Sequence, residues 1–235
     1  MDKVIALNCP GCNQPVSTDQ AQCKFCKRPI VVQKIRDIQT MPATDMTKYM
    51  NFYKSIAAEN PTHKSLNGAL AICYINMKMY DKAIEIFNKI MDDNVDNPDL
   101  FFNTAICHLH GKKPFSCQRS DIDEVIKYAN ASNSLQPRAI TYLFLSYVKH
   151  DYFTRKYLQI NPSWLEELEA ADSYGANEDT IKELSEILNI QLPEDITHRF
   201  MTQQQTSCTT QKNESNNNVS TKSTLSSLIS KFKRW

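Results

Sequence analysis

Residues 65–90, SLNGALAICYINMKMYDKAIEIFNKI, constrain the chain more than any other stretch. Apolar residues recur there at helical spacing in two blocks. Leu66, Leu70, Ile72, Cys73 and Ile75 form the first, and Ala83, Ile84, Phe87 and Ile90 the second. Residues 76–81 between them read as a turn. Two amphipathic helices joined this closely run antiparallel, and the pair still carries apolar surface that needs further neighbours. The stretch therefore predicts one unit of a helical stack rather than a self-contained hairpin.

The neighbouring sequence supplies those units. Leu70, Ala71, Tyr74, Ala83 and Phe87 stand at the relative spacings L-[GA]-x2-Y and A-x3-F, so the unit resembles the tetratricopeptide family. A shift of about 34 residues, that family's period, carries Ala71-Ile72-Cys73 onto Ala105-Ile106-Cys107. Pro61 and Pro98 precede the first and second units. Upstream, Met46 to Glu59 reads as a capping helix with Tyr49, Tyr53 and Ile56 on one face, and Thr44 or Asp45 is its candidate N-cap. The second unit runs from Pro98 to Gly111, then through an insertion over Lys112 to Ser120, to a partner helix capped by Asp121 with the stripe Ile122, Val125, Ile126 and Ala129. Pro137 opens a third unit, in which Leu143 and Tyr147 match but no A-x3-F helix follows directly. A kinked extension with Tyr152, Phe153 and Tyr157 is expected to cover the end of the stack. Short helices after Asn161-Pro162 and Asn177 complete a C-terminal cap.

Ahead of the helices, Cys9-Pro-Gly-Cys12, ten residues and Cys23-Lys-Phe-Cys26 give two CxxC knuckles. Four thiolates at this separation form a closed tetrahedral zinc site with no position for water, so one structural Zn²⁺ is expected on Cys9, Cys12, Cys23 and Cys26. The pattern resembles the N-terminal zinc-ribbon modules of many bacterial and archaeal regulatory or scaffold proteins. Those modules usually have glycine after each knuckle, where φ is often positive. Here Asn13 and Lys27 stand in its place. Strands are expected near Ile5–Leu7 and Pro29–Gln33. A redox CxxC would need a βαβ pattern that is missing here, and an iron–sulfur centre carries less weight still.

The fold class expected is mainly α: a tetratricopeptide-like solenoid behind a small β zinc ribbon. The domains would be the ribbon (1–35), a linker (36–44), the repeats (45–200), a disordered polar segment (201–223) and an amphipathic C-terminal helix (224–235). In the last of these Leu225, Leu228, Ile229, Phe232 and Trp235 make one stripe, suited to a partner protein, an anionic membrane or the repeat groove. The net charge of +1 hides an asymmetry. Residues 1–44 carry about +3, 45–190 about −5 and 191–235 about +3. The acidic middle argues against nucleic-acid wrapping. A weak contact through Lys24, Lys27 and Arg28 of the ribbon stays open.

No apolar leader or membrane-length run is present, so a cytoplasmic protein is expected, and in that reducing setting the eight cysteines read as thiols and metal ligands. No phosphate loop, dinucleotide fingerprint, HExxH or nucleophile elbow occurs. Glu166, Glu167, Glu169 and Asp172 read as a solvated helix face, and His108 with His110 cannot pair on one helix face. Function then rests on binding. Likeness to the tetratricopeptide family implies a concave groove formed by the first helices of successive pairs. Its inward residues would be Ile72, Ile75, Asn76, Phe102, Ile106, Leu109, His110, Leu145, Val148 and Lys149. The expected role is a non-catalytic, bacterial adaptor for a protein or peptide partner.

Overall fold

A computed structural model describes residues 3–93 and 96–201. It begins with a small antiparallel ribbon, β1 (Ala6–Asn8) and β2 (Pro15–Ser17), in which Leu7 faces Val16. Pro29–Gln33 is not a strand; only an isolated bridge joins Gln22 to Pro29. The rest is helical, with ten α-helices among the described residues.

A five-residue helix, α1 (Ile35–Gln39), leads into α2 (Ala43–Glu59). Neither Thr44 nor Asp45 caps α2, because Pro42 takes the N-cap position. Asp45 instead pairs with Arg28 at 2.7 Å. The first repeat is α3 (Lys64–Asn76) and α4 (Tyr80–Asp93). Ala71, Ala83 and Phe87 are wholly buried at the contact of these helices, as small residues at a close approach require. The second repeat is α5 (Pro98–His108) and α6 (Arg119–Leu135). Asn97 caps α5 by accepting from the Asp99 N–H, and Gly111 takes φ +67° just beyond the helix. Asp121 lies within the first turn of α6, with Gln118 at the N-cap, so it is not the cap expected of it.

The third repeat is α7 (Ala139–Lys149) and α8 (Trp164–Ser173). Its second helix is present after all, delayed by a π-helical turn (His150–Thr154) and a loop. That detour hides the repeat spacing from a fixed-period reading. Tyr152 and Phe153 are buried in it, whereas Tyr157 is almost fully exposed and covers nothing. Ser163 and Glu166 form a capping box on α8, and Asn177 caps α9 (Glu178–Leu188). The last described helix is α10 (Glu194–Met201).

Helix α1 carries the chain from the ribbon segment (1–35) into the first four residues of the segment read as a linker (36–44), and apolar residues on both sides of that boundary are buried. Ile30, Val31, Val32, Ile35 and Ile38 are all buried. Helix α1 packs on α3 and touches α9. Gln39 Nε2 donates to the Glu186 and Ile187 carbonyls at 3.1 and 3.3 Å in the last turn of α9, where carbonyls lack partners further along the helix. Arg36 pairs with Glu186 at 3.1 Å.

Candidate metal centre and inner cavities

Two hairpin knuckles bring Cys9, Cys12, Cys23 and Cys26 together, with all four Sγ atoms within 4.8 Å of one another. Cys9 to Cys26 and Cys12 to Cys23 are both 3.6 Å. A tetrahedral site with metal–sulfur bonds near 2.3 Å has sulfur–sulfur edges of about 3.8 Å, so the donor set and its spacing fit a metal ion. Asn13 and Lys27 have φ of +62° and +60°, the left-handed turns expected at the glycine positions. Lysine is strained there and asparagine less so. Each knuckle closes with a tight backbone bond, Asn13 N–H to the Cys9 carbonyl at 2.8 Å and Lys27 N–H to the Cys23 carbonyl at 2.9 Å. The backbone amide of Cys26 pulls the metal-free Cys23 thiol down to about 6, while burial pushes Cys9 up to about 12.

The ribbon is seated on the helices rather than tethered to them. Tyr49 donates its hydroxyl to the Pro29 carbonyl at 2.8 Å, and Tyr53 donates to the Ile30 carbonyl at 2.8 Å while accepting from the Val32 N–H at 3.0 Å. Both tyrosines are completely buried, which raises their hydroxyl pKa values. Their helical spacing was legible. Their hydrogen bonding to the segment that leaves the ribbon was not.

Residues 31–33 line one cavity against the repeats, and α1 with Thr40 lines another. The first, about 680 Å³, lies between the ribbon and the repeats and is lined by Lys3, Val32, Ile72 and Asn103 among others. The second, about 660 Å³, is framed by α1, α3, α5, α7 and the end of α9, with Ile75, Asn76, Ile106 and Leu109 in its wall. Phe102 lies edge-on to Phe144 at 5.6 Å, and Leu145 and Val148 are wholly buried. These three sit in the core between helices rather than on either cavity wall. His110 is half-buried against Tyr80.

Lys149 corrects two expectations together. Its side chain is 1% exposed, and the ammonium donates to the Pro162 carbonyl at 2.8 Å and bonds Glu167, which is also buried. Lys149 therefore does not face a groove, and Glu167 does not belong to a solvated face. Ion pairing of two residues 18 apart leaves no periodic trace in a sequence. On the same helix, Asp172 pairs with Arg199 at 3.1 Å.

Among the described residues, the four cysteines are the one cluster with metal-ligand spacing. His108 stacks on Tyr128 at 5.3 Å, away from His110. Cys73 and Cys107 are buried side chains whose thiols burial pushes up. The stripe Leu225, Leu228, Ile229, Phe232 and Trp235, and the polar segment before it, lie outside the described residues. No described helix is long and apolar enough to cross a membrane.

Comparison with known proteins follows the same lines. A tetratricopeptide repeat family model matches residues 50–101, from α2 to the start of α5. No curated protein matches the sequence significantly. Among solved structures, the crystal structure of MamA is similar, at 12% identity over 76% of this chain and 99% of that one, with a TM-score of 0.52. A second MamA crystal structure aligns at 13% identity over 79% and 96%, with a TM-score of 0.49. The chain thus carries a tetratricopeptide-like α-solenoid preceded by a small two-stranded, four-cysteine ribbon.

Proposed function

We propose that this protein is a non-catalytic cytoplasmic adaptor of bacterial type, in which the inner side of the helical stack holds a segment of a protein partner. A zinc ion on Cys9, Cys12, Cys23 and Cys26 serves structure alone, because four thiolates saturate it. The observation that carries the reading is the open cavity against Ile75, Ile106 and Leu109, on the inner faces of two successive repeats. An apolar floor of this size, within the roughly 300–1,000 Å³ of ordinary ligand sites, suits apolar anchors of an extended or helical peptide. The tetratricopeptide match and the likeness to MamA support a scaffold of this kind. The C-terminal stripe from Leu225 to Trp235 would add a second recognition element, on a partner or an anionic membrane.

Filling the cavity tests this. Asn76→Trp and Thr40→Trp project bulk into it from partly or fully exposed positions. A partner captured by the full chain, identified and purified, should bind wild type and fail to bind the double variant while both proteins melt alike. Equal binding by the two would remove the inner cavity from the mechanism. The other reading, a nucleic-acid regulator acting through the ribbon, is weakened because Arg28 is committed to Asp45. Only Lys24 and Lys27 of the three named cations stay available, too few for a large counterion-release term.

A further inference from the structure

The cavity framed by α1 and α9 is predominantly basic, with four cations to one carboxylate. Its charged lining residues are Arg36, Lys78, Lys112, Lys113 and Glu186, and the single carboxylate is already paired with Arg36. Lys78, Lys112 and Lys113 are exposed and have no ion pair among the described residues. They come from two different connections, the α3–α4 turn and the insertion after α5. Yet they converge on one mouth, although residues 45–190 as a whole carry an excess of acid. Lys78 does so from a φ of +59°, a left-handed conformation that asparagine or glycine would adopt with less strain.

The insertion that brings two of these lysines is firmly held. Phe115 N–H donates to Asp151 at 2.8 Å, Arg155 lies over the Phe115 ring at 4.1 Å, and Cys117 is buried under the loop. These contacts tie down the loop backbone, so the ordering cost on ligand arrival is confined to the lysine side chains themselves. Apolar wall and basic mouth together select the partner by chemistry.

We infer that this cavity takes an acidic peptide segment, its apolar side chains against Ile75, Ile106 and Leu109 and its carboxylates at Lys78, Lys112 and Lys113. The partner class presupposes that the stack binds a polypeptide. Complementary charge then sets the preference among apolar peptides, and speeds encounter at low salt.

Fluorescence anisotropy of the zinc-loaded full chain tests the assignment with labelled octapeptides that share two leucine pairs and differ only in their flanks, glutamate, glutamine or lysine. The glutamate peptide should bind about tenfold tighter than the glutamine peptide and the lysine peptide weakest. The order should invert in Lys78→Glu/Lys112→Glu/Lys113→Glu, whose exposed positions leave the far-ultraviolet spectrum unchanged. Equal binding of all three peptides, unaltered in the variant, overturns the charge assignment and leaves the binding role standing. No binding by any peptide overturns both. A single-stranded oligonucleotide that displaces the glutamate peptide and binds more tightly would replace the peptide assignment with a general polyanion site.

Discussion

The two ends of the repeat stack are closed by different chemistry. At the front, Tyr49 and Tyr53 hold backbone carbonyls of a ribbon that cannot assemble its own core. β1 and β2 have three residues each, and four thiols lie where a core would be. At the far end, the α7–α8 hairpin is closed by a buried ion pair, Lys149 with Glu167, supplemented by the Pro162 carbonyl. In the proposed zinc-bound form the front closure depends on the metal, because four thiolates at this spacing repel one another without a cation between them. The rear closure is built in. The lesson is that a helical repeat, which always leaves a terminal apolar face, can be finished either by a recruited module or by rearranging its own last unit.

Metal removal should break this symmetry most strongly. Structural zinc in small sites contributes about 10 kcal/mol or more to folding of the module it holds. Chelation, or Cys9→Ser, should therefore unfold residues 3–33 and expose Tyr53 and the inner face of α3. Hydrogen exchange should show protection lost in the ribbon and α2 while α7 and α8 stay protected. Uniform loss along the whole chain would mean that the two ends are not independent. At the rear, Glu167→Gln leaves a buried ammonium without its counter-charge and should cost about 3–5 kcal/mol, read as a lowered denaturation midpoint. Lys149→Met with Glu167→Leu should recover most of that loss.

Legibility differed between these regions for physical reasons. Apolar periodicity and CxxC spacing are local signals, so the hairpin from Leu66 to Ile90 and the four cysteines were readable, even to the positive φ at Asn13 and Lys27. Residues 30–39 were misread because their apolar residues serve two geometries in turn. Ile30, Val31 and Val32 are buried in irregular backbone, and Ile35 and Ile38 follow at helical spacing. Neither period lasts long enough to stand out. The i, i+3 pair was the available clue that this segment docks inward. Lys149 and Glu167 gave no such clue. Each is an ordinary charged helix residue until the tertiary fold buries them together.

Hydrogen bonding at the ribbon seat should show a smaller effect than either closure. Tyr53→Phe keeps the ring and removes one hydroxyl that serves both the Ile30 carbonyl and the Val32 N–H. Two buried backbone groups lose their partner at once, so a cost of about 1–3 kcal/mol is expected in the metal-loaded protein. The same substitution in metal-free protein should cost almost nothing, since the segment it holds is then already released. A cost that is equal with and without metal would show that the seat forms independently of the four cysteines.

The smallest effect is expected where α1 meets α9. Arg36 and Glu186 are both exposed enough to be screened, and a pair of this kind is worth about 0.2–1 kcal/mol. Arg36→Ala should barely move the melting temperature. Gln39→Ala should do more, because its amide is the partner of two helix-terminal carbonyls, one of them partly shielded from water. If both act only by fastening α1 across the inner side, the double variant should bind an apolar peptide faster while losing little stability. Stopped-flow association separates the outcomes. An unchanged rate would mean that α1 is a fixed wall of the cavity, and an increased one that the strap opens to admit its ligand.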